Sequence, residues 1–279
     1  MPAGSFVDDG GQRGHRLRTR LEIGPRGRLT RSPIVIIGGG IAGLSAGWRL
    51  LQRGFTDFVV LEMESRAGGN SRWGEHEISP YPWAAHYVPV PGPDAVGLRS
   101  FFADLGVLEG TTWSERALCF GPQERLYIHG RWQEGVEPQV GPTARERDQF
   151  KRFDELMRAF RATGAFTIPS SAGRARRGLA KEIAELDAMS MAAWMDRQGF
   201  DSPYLRWWVE YGMRDDYGAR MPGVSAWAGV HYYAGRQAEE IGPLTWPEGN
   251  GWIVRRLLER LGPRVESSTM VERLTRDGR

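Results

Sequence analysis

The 279 residues, 41% hydrophobic and 25% charged, suffice to bury one large core or two smaller ones, which excludes a mainly disordered chain. The formal charge is +3, yet residues 1–31 hold seven Arg against only Asp8, Asp9 and Glu22, so the rest of the chain is slightly acidic. The basic excess therefore belongs to a Gly/Arg-rich tail, read as a flexible solvated arm over 1–31, and gives no argument for a nucleic-acid partner.

Cys119 is the single cysteine, which excludes an intrachain disulfide and any multi-cysteine metal or iron–sulfur centre. No apolar run reaches the ~18 residues of a membrane span, and Met1 is not followed by a secretory pattern. The expectation is a soluble chain with no transmembrane segment, cytoplasmic by default; export of a longer form is compatible with the tail. Oligomeric state is not legible.

In chain order, Ile34 to Ile37 is a β-branched run bounded by Pro33 and Gly38, the pattern of a strand covered on both faces. Ala42 to Arg53 is helix-compatible with Gly54 placed to end it, and Phe58 to Leu61 forms a second strand closed by Glu62. Together they make a strand, helix, strand crossover. From Arg66 to Asp94 runs a Gly/Pro/aromatic stretch that reads as one long functional loop.

Asp94 is placed to cap a helix reaching about Leu105, and the stretch around His129-Gly130 alternates like a hairpin. Phe150, Phe153, Leu156, Met157 and Phe160 recur on one helix face between Thr143 and Thr163. A basic connector, SSAGRARRGLAKE, follows, and then three helices opened by Ser190, by Ser202 with Pro203, and by Ser225. Residues 94–245 thus read as a mainly helical domain inserted into a nucleotide-binding one: 32–93 before it, 246–279 after it. The fold class is α/β, a Rossmann-like FAD/NAD(P)-binding domain with a helical insertion.

Gly38, Gly40 and Gly43 satisfy G-x-G-x-x-G between strand and helix, with Ile41 and Ala42 at the helix start. The first glycine permits the tight turn, the second leaves room for a pyrophosphate against the backbone, and the third lets helix and strand approach. Helix N-terminal amides then meet the phosphate charge. Glu62, about 20 residues further on, is placed to accept hydrogen bonds from an adenosine ribose and to repel a 2′-phosphate.

Arg66-Ala-Gly-Gly-Asn-Ser-Arg72 adds a second glycine pair that a simple nicotinamide dehydrogenase has no evident need for. Here the sequence resembles the flavin-dependent amine oxidoreductase superfamily, which includes amine oxidases, carotenoid desaturases and protoporphyrinogen oxidase. The resemblance implies FAD as cofactor, with Arg66, Gly68, Gly69, Asn70 and Ser71 along it. It also implies that the loop YPWAAHYVPVP brings Ala84, Ala85, His86 and Tyr87 to the isoalloxazine, His86 and Tyr87 being the candidate catalytic residues. TWPEGNGWIVRRLLERLG resembles the family's Pro-x-Gly-Gly segment, with Asn250 intervening between Gly249 and Gly251. By that likeness Gly251 and Trp252 lie beside the flavin, and VESSTMVERLTRDG returns as short β segments. Two family features have no match: a C-terminal Gly-Asp segment, which makes the chain resemble an N-terminal portion, and a lysine near the flavin, Lys151 and Lys181 being the only lysines.

Candidate substrate-pocket residues are Trp208, Tyr211, Arg214, Asp215, Tyr217 and Tyr232, an unusual mixture of charge among aromatics, although aromatics at helical spacing are more often core. His231 reads as a satisfied core residue, Cys119 as a buried small hydrophobe, and no metal site is expected. The function implied is oxidation of a small amine-bearing or hydrophobic substrate by hydride transfer to FAD, with O2 or another electron acceptor. The alternatives are an NAD-dependent dehydrogenase and a truncated fragment that binds a nucleotide without turnover.

Overall fold

The computed structural model describes residues 11–19, 29–119, 124–170, 179–236 and 242–276. The chain divides into two compact units, Met1–Val88 with Leu244–Arg279, and Pro89–Pro243.

The first unit opens with α1 (Gly11–Arg16), whose Arg13 pairs with Glu64 at 3.3 Å. Strand β1 (Val35–Ile37), helix α2 (Ile41–Gln52) and strand β2 (Val59–Leu61) form the crossover, with Val35 opposite Val59 and Ile37 opposite Leu61 in a parallel ladder. Gly54, at φ 79°, follows the helix cap as its position in the sequence requires. The expectation that β1 is covered on both faces does not hold. Val60 and Leu44 are fully buried where α2 packs on the sheet, but Val35 and Ile37, on the opposite face, are 48% and 51% exposed. A β-branched run reports strand propensity and not which face finds a cover.

The stretch expected as one long loop is folded. Strands β3 (Trp73–Glu75) and β4 (Pro80–Pro82) pair antiparallel, and β5 (Tyr87–Val88) follows. Prolines hid β4 in the sequence, yet a two-stranded ribbon tolerates them because each strand has a free edge that needs no N–H donor.

In the second unit, α3 (Val96–Asp104) starts one residue later than expected: Ala95 and not Asp94 is its N-cap, with no side-chain capping bond. Small ribbons follow, β6 (Leu108–Glu109) with β7 (Thr112–Trp113) and β8 (Arg125–Ile128) with β9 (Arg131–Glu134). His129 and Gly130 both take positive φ, the turn whose twist suits a two-residue hairpin. Helix α4 (Ala144–Ala162) begins at a capping box between Thr143 and Glu146.

Helix α5 (Ala180–Asp187) starts within the stretch read as a basic connector, of which residues 171–178 lie outside the described residues. Leu179, Ile183 and Leu186 give it an apolar face that the neighbouring charges masked. Helices α6 (Met191–Arg197), α7 (Pro203–Tyr217) and α8 (Ala226–Ala234) begin at the expected serines; Ser190, Ser202 and Ser225 accept from the N–H groups of Ala193, Leu205 and Ala228. Their core is built on Phe153, 1% exposed, with the rings of Trp194, Phe200, Trp208 and Tyr233 around it. Each such burial contributes about 1.5–3 kcal/mol.

The chain then returns to the first unit. Strand β10 (Leu244–Thr245) pairs antiparallel with β5, α9 (Gly251–Leu261) packs on α2, and β11 (Val265–Glu266) joins β2 in parallel, giving the order β1-β2-β11. Ile253, Val254, Leu257 and Leu261 form the buried face of α9. The further β segments expected after Glu266 are not seen among residues 267–276: Ser268 and Thr269 instead donate to the carbonyls of Glu64 and Glu62, in an irregular path along the end of β2.

Candidate dinucleotide-binding site

The glycine turn is fixed by a bond from Gly38 N–H to the Leu61 carbonyl at 2.8 Å, and α2 starts at Gly40 with no side-chain cap. Its first-turn amides therefore have no side-chain acceptor, the condition for holding an anion. The three motif glycines serve different ends. A Cβ on Gly43 would sit 1.9 Å from the Gly38 carbonyl oxygen, so this position is closed by the protein itself. A Cβ on Gly40 would meet nothing nearer than Gly69 Cα at 3.9 Å, so the space beside it is left for a ligand. Gly39, unassigned in the motif, is also confined: its Cβ would come within 3.0 Å of Glu62 and Ala67.

Glu62, 8% exposed, accepts from Gly39 N–H through Oε2 and from Glu64 N–H through Oε1, both at 2.7 Å. Each oxygen keeps further acceptor capacity, which suits a vicinal diol. The second glycine pair is bonded to the turn: Gly68 N–H donates to the Gly39 carbonyl at 2.8 Å, Gly40 and Gly68 form a bridge, and a Cβ on Gly69 would lie 3.2 Å from Gly40 Cα. Gly69–Ser71 is a single 3-10 turn with Ser71 buried, Arg72 Nε donates to the Gly69 carbonyl, and Arg66 lies over the Trp73 ring. The structure thus brings Gly38 to Gly43, Glu62 and Ala67 to Gly69 into one amide-lined cradle, with Asn70 and Ser71 in the turn that continues from it and Arg66 laid on Trp73 instead. Its open side at Gly40, unsatisfied helix amides and buried carboxylate fit the diphosphate and ribose of an extended dinucleotide.

The loop holding Ala84 to Tyr87 is tied to this cradle, because Ala85 N–H donates to the Asn70 carbonyl and Trp83 N–H to that of Arg72. From the other side the returning segment holds three successive carbonyls: Asn250 N–H donates to Ala85, Thr245 Oγ1 to His86 and Asn250 Nδ2 to Tyr87. The His86 ring is exposed, with Nδ1 3.0 Å from the Ala84 carbonyl and its edge toward Tyr87. Gly251 is pressed on Trp73, and Trp252 stacks on Trp246 at 4.6 Å and 3°. Thr245, Trp246 and Asn250 were not singled out as site residues in the sequence; the signal for Asn250 was its intrusion into the glycine motif.

The six residues expected in a substrate pocket occupy different places in the second unit. Tyr211, Arg214 and Asp215 line a groove of about 660 Å³ along α7 with Trp207 and Glu210, and Trp207 stacks on Tyr211. Trp208 instead packs into the core on Phe150 and Phe153. Tyr217 donates to the Ala228 carbonyl, and Tyr232 lies under Arg236, which pairs with Asp216. Burial pushes the phenols of Tyr217, Tyr232 and Tyr233 above their usual range.

His231 Nε2 lies 2.8 Å from the Thr167 carbonyl in a half-buried position. The Cys119 thiol is half-buried rather than enclosed. Among the described residues no His, Cys, Asp or Glu cluster suits a metal ion, and no helix is long and apolar enough to cross a membrane.

A family model described as an NAD(P)-binding Rossmann-like domain matches residues 36–105. Over 86% of the chain the structure aligns with 51% of a wild-type putrescine oxidase solved with putrescine bound, at TM-score 0.61 and 20% identity. It aligns equally with 51% of a cyclohexylamine oxidase from Brevibacterium oxydans, at TM-score 0.58 and 17% identity over 86% of this chain. The fold is shared with these two amine oxidases. The same amine oxidase-like fold extends to a CLA-producing fatty acid isomerase from P. acnes, at TM-score 0.54 and 17% identity over 87% of this chain and 52% of that one. In sequence, 57 residues are 44% identical to the Baeyer-Villiger monooxygenase peniC of Penicillium patulum, covering 20% of this chain and 8% of that protein. The chain spans about half the length of the solved structures that share its fold.

Proposed function

We propose that this chain carries the cofactor-binding part of an FAD-dependent oxidoreductase that oxidises a small amine-bearing or hydrophobic substrate. A shared fold does not by itself decide the chemistry. The observation that carries the reading is the bonding of the second glycine segment to the first, which extends the cradle beyond what a mononucleotide half-site requires. The amides opening α2 hold the diphosphate, Glu62 receives the ribose hydroxyls, and Gly68 to Ser71 run along the extended cofactor. Bound flavin supplies the two-electron acceptor for a substrate hydride, and O2 or another small acceptor takes the electrons onward.

Ala84 to Tyr87 is assigned to the ring-facing side. With Nδ1–H donated to the Ala84 carbonyl, His86 keeps Nε2 as the atom able to take a proton. In the second unit, the Trp207 and Tyr211 rings with Glu210 and Asp215 offer aromatic faces and carboxylates to a cationic amine, and Arg206 and Arg214 balance that charge in the same groove.

The test is FAD titration of the purified chain followed by its visible spectrum. Saturable uptake that is abolished in Gly40→Val and weakened in Glu62→Ala is the expected result. A folded, colourless chain that ignores FAD and binds NAD instead overturns the proposal.

A further inference from the structure

Two polar atoms in the loop system around Ala84 to Tyr87 are buried without a hydrogen-bond partner: Oδ1 of Asn250 and Nε1 of Trp83. The Asn250 amide is oriented by its other end, because Nδ2 donates to the Tyr87 carbonyl at 3.2 Å. Turning the amide over would set two carbonyl oxygens against each other and leave the buried atom a donor, so Oδ1 is the unmet group. Such an atom is costly to strand and is kept where something donates to it. Its position is telling. Asn250 is the N-cap of α9 and stands between Gly249 and Gly251; a glycine there would keep the backbone bond to Ala85 and the start of the helix. The side chain is therefore not needed for the helix to begin.

We infer that Asn250 is a cofactor contact: Oδ1 accepts a hydrogen bond from a ring N–H of the bound flavin, while Nδ2 of the same amide fixes the Tyr87 carbonyl. This rests on the flavin reading of the cradle. FAD offers an imide N–H in its redox ring, whereas the nicotinamide ring of NAD has none and carries only an exocyclic amide.

The test uses the whole chain as parent, Asn250→Ala and Asn250→Ser, with FAD affinity from flavin fluorescence, thermal melts without FAD, and absorption bands and midpoint potential at saturating FAD. The expected result is a loss of FAD affinity of about tenfold in Asn250→Ala, the size of one hydrogen bond, with a cofactor-free melting temperature near the parent's. The loaded variant shows shifted flavin bands and a shifted potential, and Asn250→Ser, whose hydroxyl can still accept, lies between. Unchanged affinity, bands and potential mean that Oδ1 serves only an ordered water, and overturn the inference. A fall in melting temperature and affinity with unshifted bands reduces Asn250 to a staple of the loop and also overturns it. A parent that takes up no FAD sinks the flavin reading and this inference together, which separates that failure from the other two.

Discussion

The backbone N–H of Gly39 donates to the buried Glu62 carboxylate at 2.7 Å, and the same glycine leaves no room for a Cβ, which would lie 2.9 Å from Glu62 Cβ. The acid proposed to receive the ribose is thus seated by the middle glycine of the turn. Gly39→Ala should displace Glu62, lower stability by about 1–3 kcal/mol as overpacking does, and weaken FAD binding as strongly as Glu62→Ala. Denaturant melts beside FAD titrations check this; wild-type values for both mean that the contact yields freely.

The other two glycines separate fold from ligand. Gly43→Ala drives a methyl into the Gly38 carbonyl and should lower the melting temperature with or without cofactor. Gly40 has φ −74° and open space beside it, so Gly40→Ala should leave the cofactor-free chain within about 0.5 kcal/mol of the parent. Its FAD affinity should nonetheless fall by about tenfold or more, because the methyl occupies the cofactor's approach. Equal melting losses in the two variants would contradict this division of labour.

In the second unit, Ser202 is buried and its hydroxyl accepts from Leu205 N–H at the start of α7. Ser202→Ala should cost about 1–2 kcal/mol of that unit's stability, read as a shifted denaturant midpoint at unchanged slope.

Alkali should unfold this unit before it titrates the buried phenols. Tyr232 and Tyr233 are raised by burial, so above pH ~10 the unfolded chain loses phenolic protons that the folded chain retains. Stability is then constant below that pH and falls as pH rises through and beyond it. Tyr232→Phe should flatten the alkaline slope; an unchanged slope assigns the sensitivity elsewhere.

Much of the cradle was legible because its chemistry is local. G-x-G-x-x-G, the acid at the end of β2 and the Gly68-Gly69 pair are contiguous strings whose spacing encodes a turn, and the serine caps and the Phe150 to Phe160 stripe are equally short-range. What escaped depended on partners distant in sequence. Gly39 is constrained by Glu62, Asn250 acts on Ala85 and Tyr87, and Trp208 and Tyr211, close on one helix, part to core and groove. The openness of one face of β1 and the pairing of proline-rich β4 were hidden for the same reason. Residue type states what a side chain can do, and the neighbours assigned by topology decide which of those things it does.

The interrupted layout of the first unit also dictates an order of events during synthesis. Strand β5 gains its partner only with Leu244 and Thr245, and β2 its second neighbour only with Val265 and Glu266. All of Pro89–Pro243 has been translated by then. The helical insertion can therefore settle while the ribosome is still extending the chain, whereas the loop from Trp83 to Tyr87, tied until then to Arg72 and Asn70, waits for residues 244–250 to emerge. That interval is when this loop has most to gain from a chaperone.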